Sequence, residues 1–437
     1  MTGFTAISAD EVRITARGPV REAAERVLGR LWIDEVPVRL ASEDPTLWAS
    51  GSPDHEDPLL REPTPQACWP AQPGPARAVL GEIGALVDRT RAAGLTEIVL
   101  LGSGPQARAA ELLARSGLRR PAATAAHVRR TPLTVLDGLD PAPLLRVSLD
   151  EDRLLRTVVV VTGEDVGTEA LRRILAQTMR DRGLSRAEIA ERFVFLAEPG
   201  SALAAHAEKS GHTVIDGPGG QVFGALSPAA LVPAALAGVD VAELLDTATS
   251  ALPSLTRPEN NPGLILGAIL GGCARAGRDK IIIGDFPARA AGLGSWIASL
   301  LAGATQGGLL PVVQHGGMPL APADDLFQIT LDGRPHQDDA TVSGPLGAQL
   351  VVWEYAAAVA AYLLAADPLA TRPRTRHGIE QAVTDQNTEQ TNTRQGDSEQ
   401  TDAEQANTEQ NNAEAAGVAP AFTVGPATDA IDVHADE

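Results

Sequence analysis

Thr157–Arg182 reads TVVVVTGEDVGTEALRRILAQTMRDR. Its first six residues, Thr157–Thr162, form a short β-branched apolar run, the loop Gly163–Gly167 follows, and Thr168–Arg182 has a helical pattern. A strand that is apolar without alternation is covered on both faces, which is the mark of a parallel sheet between helices. The same grammar recurs on either side. Upstream, the strand Glu97–Leu101 (EIVLL) enters the turn Gly102-Ser103-Gly104 and a helix that begins near Pro105. Downstream come the strand Arg192–Leu196, a helix near Ser201–Ser210 and the strand Thr213–Ile215. A second run of elements spans Pro258–Asp367: helix Gly263–Ala276, strand Lys280–Asp285, helix Gly292–Leu301, strand Leu309–Val313 and the long helix Leu346–Ala366. Strands alternating with helices define an α/β fold, and the second unit repeats the layer scheme of the first.

Composition bounds the function. A chain of 437 residues exceeds one ordinary core. Cys68 and Cys273 have neither CxxC nor CxH spacing, so no disulfide framework or zinc site is indicated, and a reduced, cytoplasmic setting is expected. Met1–Asp10 lacks the pattern of a signal peptide, and no apolar run is read as approaching the ~18 residues of a membrane span. A net charge of −20 argues against nucleic acid as a partner. Part of that charge is local: between Glu380 and Glu414, a series of acids faces Arg394 alone, in repeats such as Asn387–Gln390 (NTEQ) and Asp402–Gln405 (DAEQ). Such a segment buries too little apolar area to offset its ordering entropy and is expected to be disordered. Met1–Arg77 is poorly patterned, with prolines from Pro53 to Pro75 that exclude a long helix or a central strand from its second half.

Taken alone, Gly102-Ser103-Gly104 after a strand suggests a dinucleotide turn. The third glycine of GxGxxG would fall at Ala107, and no acidic residue ends a following strand about 20 residues on, so that reading is weak. His315 and His336 have no partner at triad or metal spacing and read as surface histidines.

Three further stretches carry a resemblance: Gly219–Asp240 (GGQVFGALSPAALVPAALAGVD), Asn261–Asp285 (NPGLILGAILGGCARAGRDKIIIGD) and Gly292–Leu301 (GLGSWIASLL). In this order they resemble glucose-6-phosphate isomerases of the long bacterial, actinobacterial-like type, built from two sugar isomerase (SIS) domains. The resemblance runs from about Glu97 to Asp367 and again over Pro420–Val433. It implies two three-layer αβα parallel-sheet SIS domains, at residues 79–250 and 251–370. These sit between a variable N-terminal lobe (1–78) and a disordered acidic segment (371–416), with a remnant of a C-terminal region at 417–437. It also implies interconversion of glucose 6-phosphate and fructose 6-phosphate, in glycolysis and gluconeogenesis, without metal or cofactor.

The residues that would do this work have changed. The family's first turn has two serines after its glycines; here Gly102 and Gly104 are followed by Gln106 and Ala107. Its hydroxyl-rich phosphate cradle aligns with Glu164, Asp165, Val166, Gly167, Thr168 and Glu169, so that a lysine has become Asp165. Two unit charges 4 Å apart at an effective dielectric near 20 interact by roughly 4 kcal/mol, enough to erase ordinary phosphate binding. Those acids also suit a helix N-terminus as such. The family's Gly-Gly-Arg reads Gly219, Gly220, Gln221, and the position of its proton-transferring glutamate holds Gly303. A general base contributes roughly 10²–10⁴ in rate, which glycine cannot supply. The ring-opening histidine region aligns with Gly347–Leu350. Trp353, Glu354 and Tyr355 match the family's Trp-Glu-Phe, leaving Glu354 as either a surviving site carboxylate or a structural residue held by arginines. The resemblance places a catalytic lysine in a C-terminal part beyond Pro420–Val433, which this sequence, ending at Glu437, is expected to lack.

The expectation is an isomerase-like pseudoenzyme with weak or absent catalysis. Gly102, Gly104, Gly167, Thr168, Gly220 and Gln221 are the candidate ligand contacts, and a sugar or sugar phosphate is the ligand. Partners are a second copy or an intact isomerase, through the apolar helices Val351–Ala366 and Leu231–Leu245. No membrane or nucleic-acid partner is expected. The alternative is an active enzyme on another sugar-like substrate, using Glu354, His315 or Gln221.

Overall fold

In the described residues, eleven strands form: β1 (Phe4–Ile7), β2 (Arg13–Ala16), β3 (Glu97–Leu101), β4 (Leu133–Leu136), β5 (Thr157–Val161), β6 (Phe193–Ala197), β7 (Thr213–Asp216), β8 (Lys280–Gly284), β9 (Leu310–Gln314), β10 (Leu326–Leu331) and β11 (Ala340–Ser343). This computed structural model describes residues 4–7, 12–51, 69–70, 73–118, 131–163, 165–217, 222–257, 259–285, 290–314, 323–335 and 337–369. The expectations for Glu164, Gly220, Gln221, His315, His336, the acidic segment and the C-terminal remnant lie outside them.

The first sheet has the order β4-β3-β5-β6-β7 and is parallel throughout. Its strands bury both faces. Ile98, Leu100, Val158, Val160, Val194 and Leu196 point into one cluster, while Val99, Leu101, Val159, Val161, Phe193 and Phe195 join Leu171, Leu175 and Met179 in another. That split explains why the strands read as unbroken apolar runs. The helix after β5 is Val166–Asp181, beginning earlier than its periodicity alone indicates because Asp165 caps it.

The second sheet, β1-β2-β11-β10-β8-β9, is mixed, and here the expectation of a purely parallel sheet is corrected. β8, β9, β10 and β11 are parallel, but the hairpin β1–β2 adds two antiparallel strands at the β11 edge. Thr15 Oγ1 and Thr341 Oγ1 lie 2.6 Å apart within it, and Arg17 N–H donates to Asp339 O at 2.9 Å. The N-terminal segment thus supplies strands to this sheet, and its helix Gly18–Ile33 packs on the helix Pro262–Arg275.

Two helices form the centre of this half. In Pro262–Arg275, Gly263, Gly267 and Gly271 recur every fourth residue and face Tyr355, Val359 and Leu363 of the helix Leu346–Leu363. A Cβ at Gly267 would fall 2.5 Å from Val359 Cβ and 2.9 Å from Ala356 O, so the close approach of the two backbones requires glycine there. Leu346–Leu363 is, among the described residues, the one helix long and apolar enough to cross a membrane, which corrects the reading that no apolar run nears that length. In the fold 89% of it is buried. The stretch Leu231–Leu245, expected as one helix, is two: Pro228–Leu236 ends before Gly238, whose φ is +93°, and Val241–Leu255 follows, with Leu231–Leu236, Leu244 and Leu245 buried. These helices and Leu346–Leu363 pack their apolar residues inside the single chain. Both sheets belong to one compact unit, residues 1–370.

Candidate functional site

After β3 the chain crosses to β4 on one side, whereas β5 returns on the other, so the order of the first sheet reverses between β3 and β5. In an open α/β sheet this reversal leaves a crevice at the carboxyl ends of the strands, the usual place for a ligand. The turns after β3 and β5 meet there: a Cβ at Gly102 would fall 2.0 Å from Thr162 Oγ1. Gly104 adopts φ +76° as the helix Gly104–Arg115 starts.

The crevice draws in residues from both halves. A Cβ at Gly303 would touch Val222 at 3.5 and 3.6 Å and Pro105 Cγ at 3.8 Å, ordinary contacts that a Cβ can make without a clash. Gly303 lies inside the last turn of the helix Leu293–Ala304, which runs longer than its sequence pattern indicates because Ala302 and Ala304 prolong it. The turn after β3, the loop that follows residue 221 and the end of this helix are therefore adjacent. Gly303 presents no group to them.

Gln106 and Glu354 hold the loop 222–227 from two directions. Gln106 is 2% exposed, and its Nε2 donates to Ser227 Oγ at 3.2 Å. Ser227 Oγ donates to Gly224 O at 2.8 Å. The side chain of Gln106 lies so close to Gly224 that a Cβ there would sit 2.4 Å from its Nε2. Glu354, also 2% exposed, accepts the backbone N–H groups of Gly224 at 2.9 Å and Ala225 at 2.8 Å through Oε1. Its carboxylate thus spends one oxygen on backbone amides of the loop. Thr305 and Gln306, close after Gly303, are also engaged: Thr305 Oγ1 donates to Leu301 O at 2.7 Å and Gln306 Nε2 to Asp367 O at 2.6 Å.

At the second turn, Asp165 fills the place of an anion. Its Oδ1 accepts Thr168 N–H at 2.9 Å and its Oδ2 accepts the Thr168 hydroxyl at 2.8 Å. A Cβ at Gly163 would lie 2.9 Å from Asp165 Oδ2, and one at Gly167 would lie 3.2 Å from Oδ1, so the carboxylate nests among Gly163, Gly167 and Thr168. The amide and hydroxyl of Thr168, the third residue of this helix, are thereby satisfied from within the chain. Glu169 turns instead to Arg172 and Arg173. Hydrogen bonding from Arg172, reinforced by Arg173 against the cost of burial, lowers its carboxyl to about 2.

The structure therefore gathers Gly102, Gly104, Gly303 and Glu354 around one crevice, with Gly167 and Thr168 on the neighbouring turn. Sequence reasoning missed the partner of Gln106. The signal was a long amide where the family has a short hydroxyl, which must find buried acceptors. Among the described residues no group of three or more His, Cys, Asp or Glu side chains could hold a metal ion. Cys273 is buried, and burial pushes its thiol up to about 12.

No family model matches the chain. Two curated proteins do, each over part of its length. The glucose-6-phosphate isomerase of Thermosynechococcus vestitus is 32% identical over 203 residues, 43% of this chain and 36% of the relative. That of Cyanothece sp. is 31% identical over 210 residues, 44% of this chain and 36% of the relative. The match thus spans little more than a third of these relatives. Among solved structures, a hypothetical protein of Thermus thermophilus superposes with a TM-score of 0.62 at 16% identity, over 89% of this chain and 100% of its own. A glucose-6-phosphate isomerase of Chlamydia trachomatis gives a TM-score of 0.62 at 13% identity, over 88% and 90%. The class is an α/β fold with parallel strands, a fold shared with the solved Chlamydia trachomatis glucose-6-phosphate isomerase. Within it the chain is distantly similar to the glucose-6-phosphate isomerases.

Proposed function

We propose that this chain has the fold of glucose-6-phosphate isomerases without their reaction, and acts as a non-catalytic binding or regulatory protein. The observation that carries the reading is Asp165: its carboxylate takes the Thr168 amide and hydroxyl that a substrate phosphate would need. A phosphate arriving there would meet a fixed negative charge as well as occupied donors, and like charges at contact cost several kcal/mol. Gly303 adds the second deficit. Proton transfer between neighbouring sugar carbons needs a base, and no side chain leaves Gly303 toward Pro105 and Val222. Glu354 does not replace it, because its role is to hold the backbone of the 224–225 loop.

The test is a coupled assay for glucose 6-phosphate conversion together with isothermal titration of the same sugar. The expected result is turnover below a thousandth of an ordinary isomerase and no binding heat below millimolar sugar phosphate, in line with the loss of base and charge stabilisation together. Turnover within tenfold of an ordinary isomerase overturns the reading. Gly303→Glu alone is expected to leave the protein inactive, since Asp165 still occupies the phosphate's donors.

A further inference from the structure

Away from the crevice, where β11 ends and the helix Leu346–Leu363 begins, buried polar groups stand without partners. The N-cap is Pro345, which has no side-chain acceptor, and among the described residues nothing accepts the N–H groups of Leu346, Gly347 and Ala348. Gly347 and Ala348 are buried, so two of these donors are shut away from bulk water. An acceptor lies beside them. Gln349 is 3% exposed and folds back along its helix, its Nε2 donating to Gly344 O at 2.7 Å. Its Oε1, in the same carboxamide, is buried and has no partner among the described residues. Turning the carboxamide over would set that oxygen against Gly344 O, so its donor has to come from elsewhere.

Backbone donors and a carboxamide acceptor thus share one helix end, and a ligand that satisfies both carries an acceptor and a donor side by side. We propose that this helix end binds a small 2-hydroxycarboxylate, its carboxylate on the amides of Leu346, Gly347 and Ala348 and its hydroxyl donating to Gln349 Oε1. A carboxylate and a hydroxyl on adjacent carbons match amides and a side chain that is folded back over them.

The charge of the corner favours a monoanion. The helix N-terminus is a positive pole. Arg13 of β2, exposed and without an ion pair among the described residues, stands directly across from Ser343. On the other side of β11, Asp332 donates its N–H to Val342 O and brings a carboxylate to the same corner, which weighs against a dianion. The acceptor is a neutral amide, which suits a hydroxyl, whereas an ammonium buried there would face only an amide dipole. The helix Val241–Leu255 closes one flank, since a Cβ at Gly347 would fall 2.5 Å from Leu244 O. The approach is from Gly344, Pro345 and Leu346, which are half-buried or exposed. None of these residues belongs to the crevice, so the site stands or falls apart from the reading of Asp165.

Isothermal titration of the full chain with sodium glycolate, sodium acetate and glycine as separate titrants tests this. Glycolate is expected to bind on the order of tenfold more tightly than acetate, the worth of one hydrogen bond to a buried acceptor, and glycine to give no binding heat. Gln349→Met keeps the volume and removes the acceptor, so glycolate should fall to the affinity of acetate. Pro345→Asp supplies the missing cap, as Asp165 does for Thr168, and is expected to abolish binding of both acids. Circular dichroism checks folding, and Pro345→Asp, at an exposed position, decides the matter if Gln349→Met does not fold. Absence of glycolate binding in the wild type overturns the proposal and leaves water as the partner of these groups, and glycolate binding unaltered by Pro345→Asp overturns it too. Equal affinities for glycolate and acetate, or tighter binding of glycine, overturn the ligand class.

Discussion

Two glycines define the two regions that differ most in this molecule. Gly267 sits where helices Pro262–Arg275 and Leu346–Leu363 press together, and a Cβ there would fall 2.5 Å from Val359 Cβ. Gly303 sits at the crevice, and a Cβ there would have its nearest neighbour at 3.5 Å. The first position admits no side chain. The second admits a Cβ in ordinary contact. Packing therefore dictates glycine in the core, whereas at the crevice no clash at Cβ requires it.

The largest expected effect would break the core half of that contrast. Gly267→Ala must displace Val359 and the Ala356 carbonyl, overpacking that costs about 3 kcal/mol, and urea unfolding should show the midpoint falling steeply or the protein failing to fold. Next in size is Glu354→Ala, which strands the buried amides of Gly224 and Ala225 and is expected to cost about 2–3 kcal/mol. Glu354→Gln keeps an acceptor and should lose less than half of that, so equal losses in the two variants would mean that the loop does not depend on the bond. Gly303→Ala sharpens the crevice half: a helical glycine whose Cβ would make only ordinary contacts gains up to about 1 kcal/mol on acquiring a methyl, measured as a higher midpoint. A loss there would erase the distinction between the two glycines.

The smallest effect concerns pH. His212 is packed against Phe193 and Phe195, with ring centroids 5.7 and 5.0 Å away. Burial, outweighing the hydrogen bond to Ala190 O, depresses its folded pKa below the ordinary value of 6.5. The unfolded chain thus binds its proton first as pH falls, and the stability owed to the neutral ring is lost from about pH 6.5 downward. Unfolding midpoints between pH 7.5 and 5.5 should decline in the wild type, and less so in His212→Phe.

Legibility followed from how far each residue's partner lies in sequence. β3, β5 and β6 could be read because a strand buried on both faces is apolar at every position, a local property. β2 and the helix Gly18–Ile33 could not, since Arg13–Ala16 offers four residues of weak alternation and takes its meaning from β11. At the crevice, Gly102, Gly104, Gly303 and Glu354 were found as positions in recognisable stretches. Their contacts were not: the sequence alone leaves Asp165 free to face outward or inward, and only the geometry of Gly163 and Gly167 shows it turned onto Thr168. Glu354 was weighed against arginine partners, whereas backbone amides, invisible in a side-chain alphabet, fill that role.

The hairpin β1–β2 also sets an order of events. Thr15 and Thr341, side by side in the second sheet, are 326 positions apart in the chain. At ribosomal rates of about 5–20 residues per second, β2 leaves the tunnel on the order of half a minute before its partner exists. The first sheet, whose strands all lie between Glu97 and Asp216, can close during that wait. The second cannot, because its outer strand arrives first and its neighbour β11 arrives last. A nascent chain therefore carries the hairpin with one edge of β2 open through most of its synthesis, and a chain shortened by its first 17 residues would present β11 as a bare edge to any neighbour able to extend a sheet.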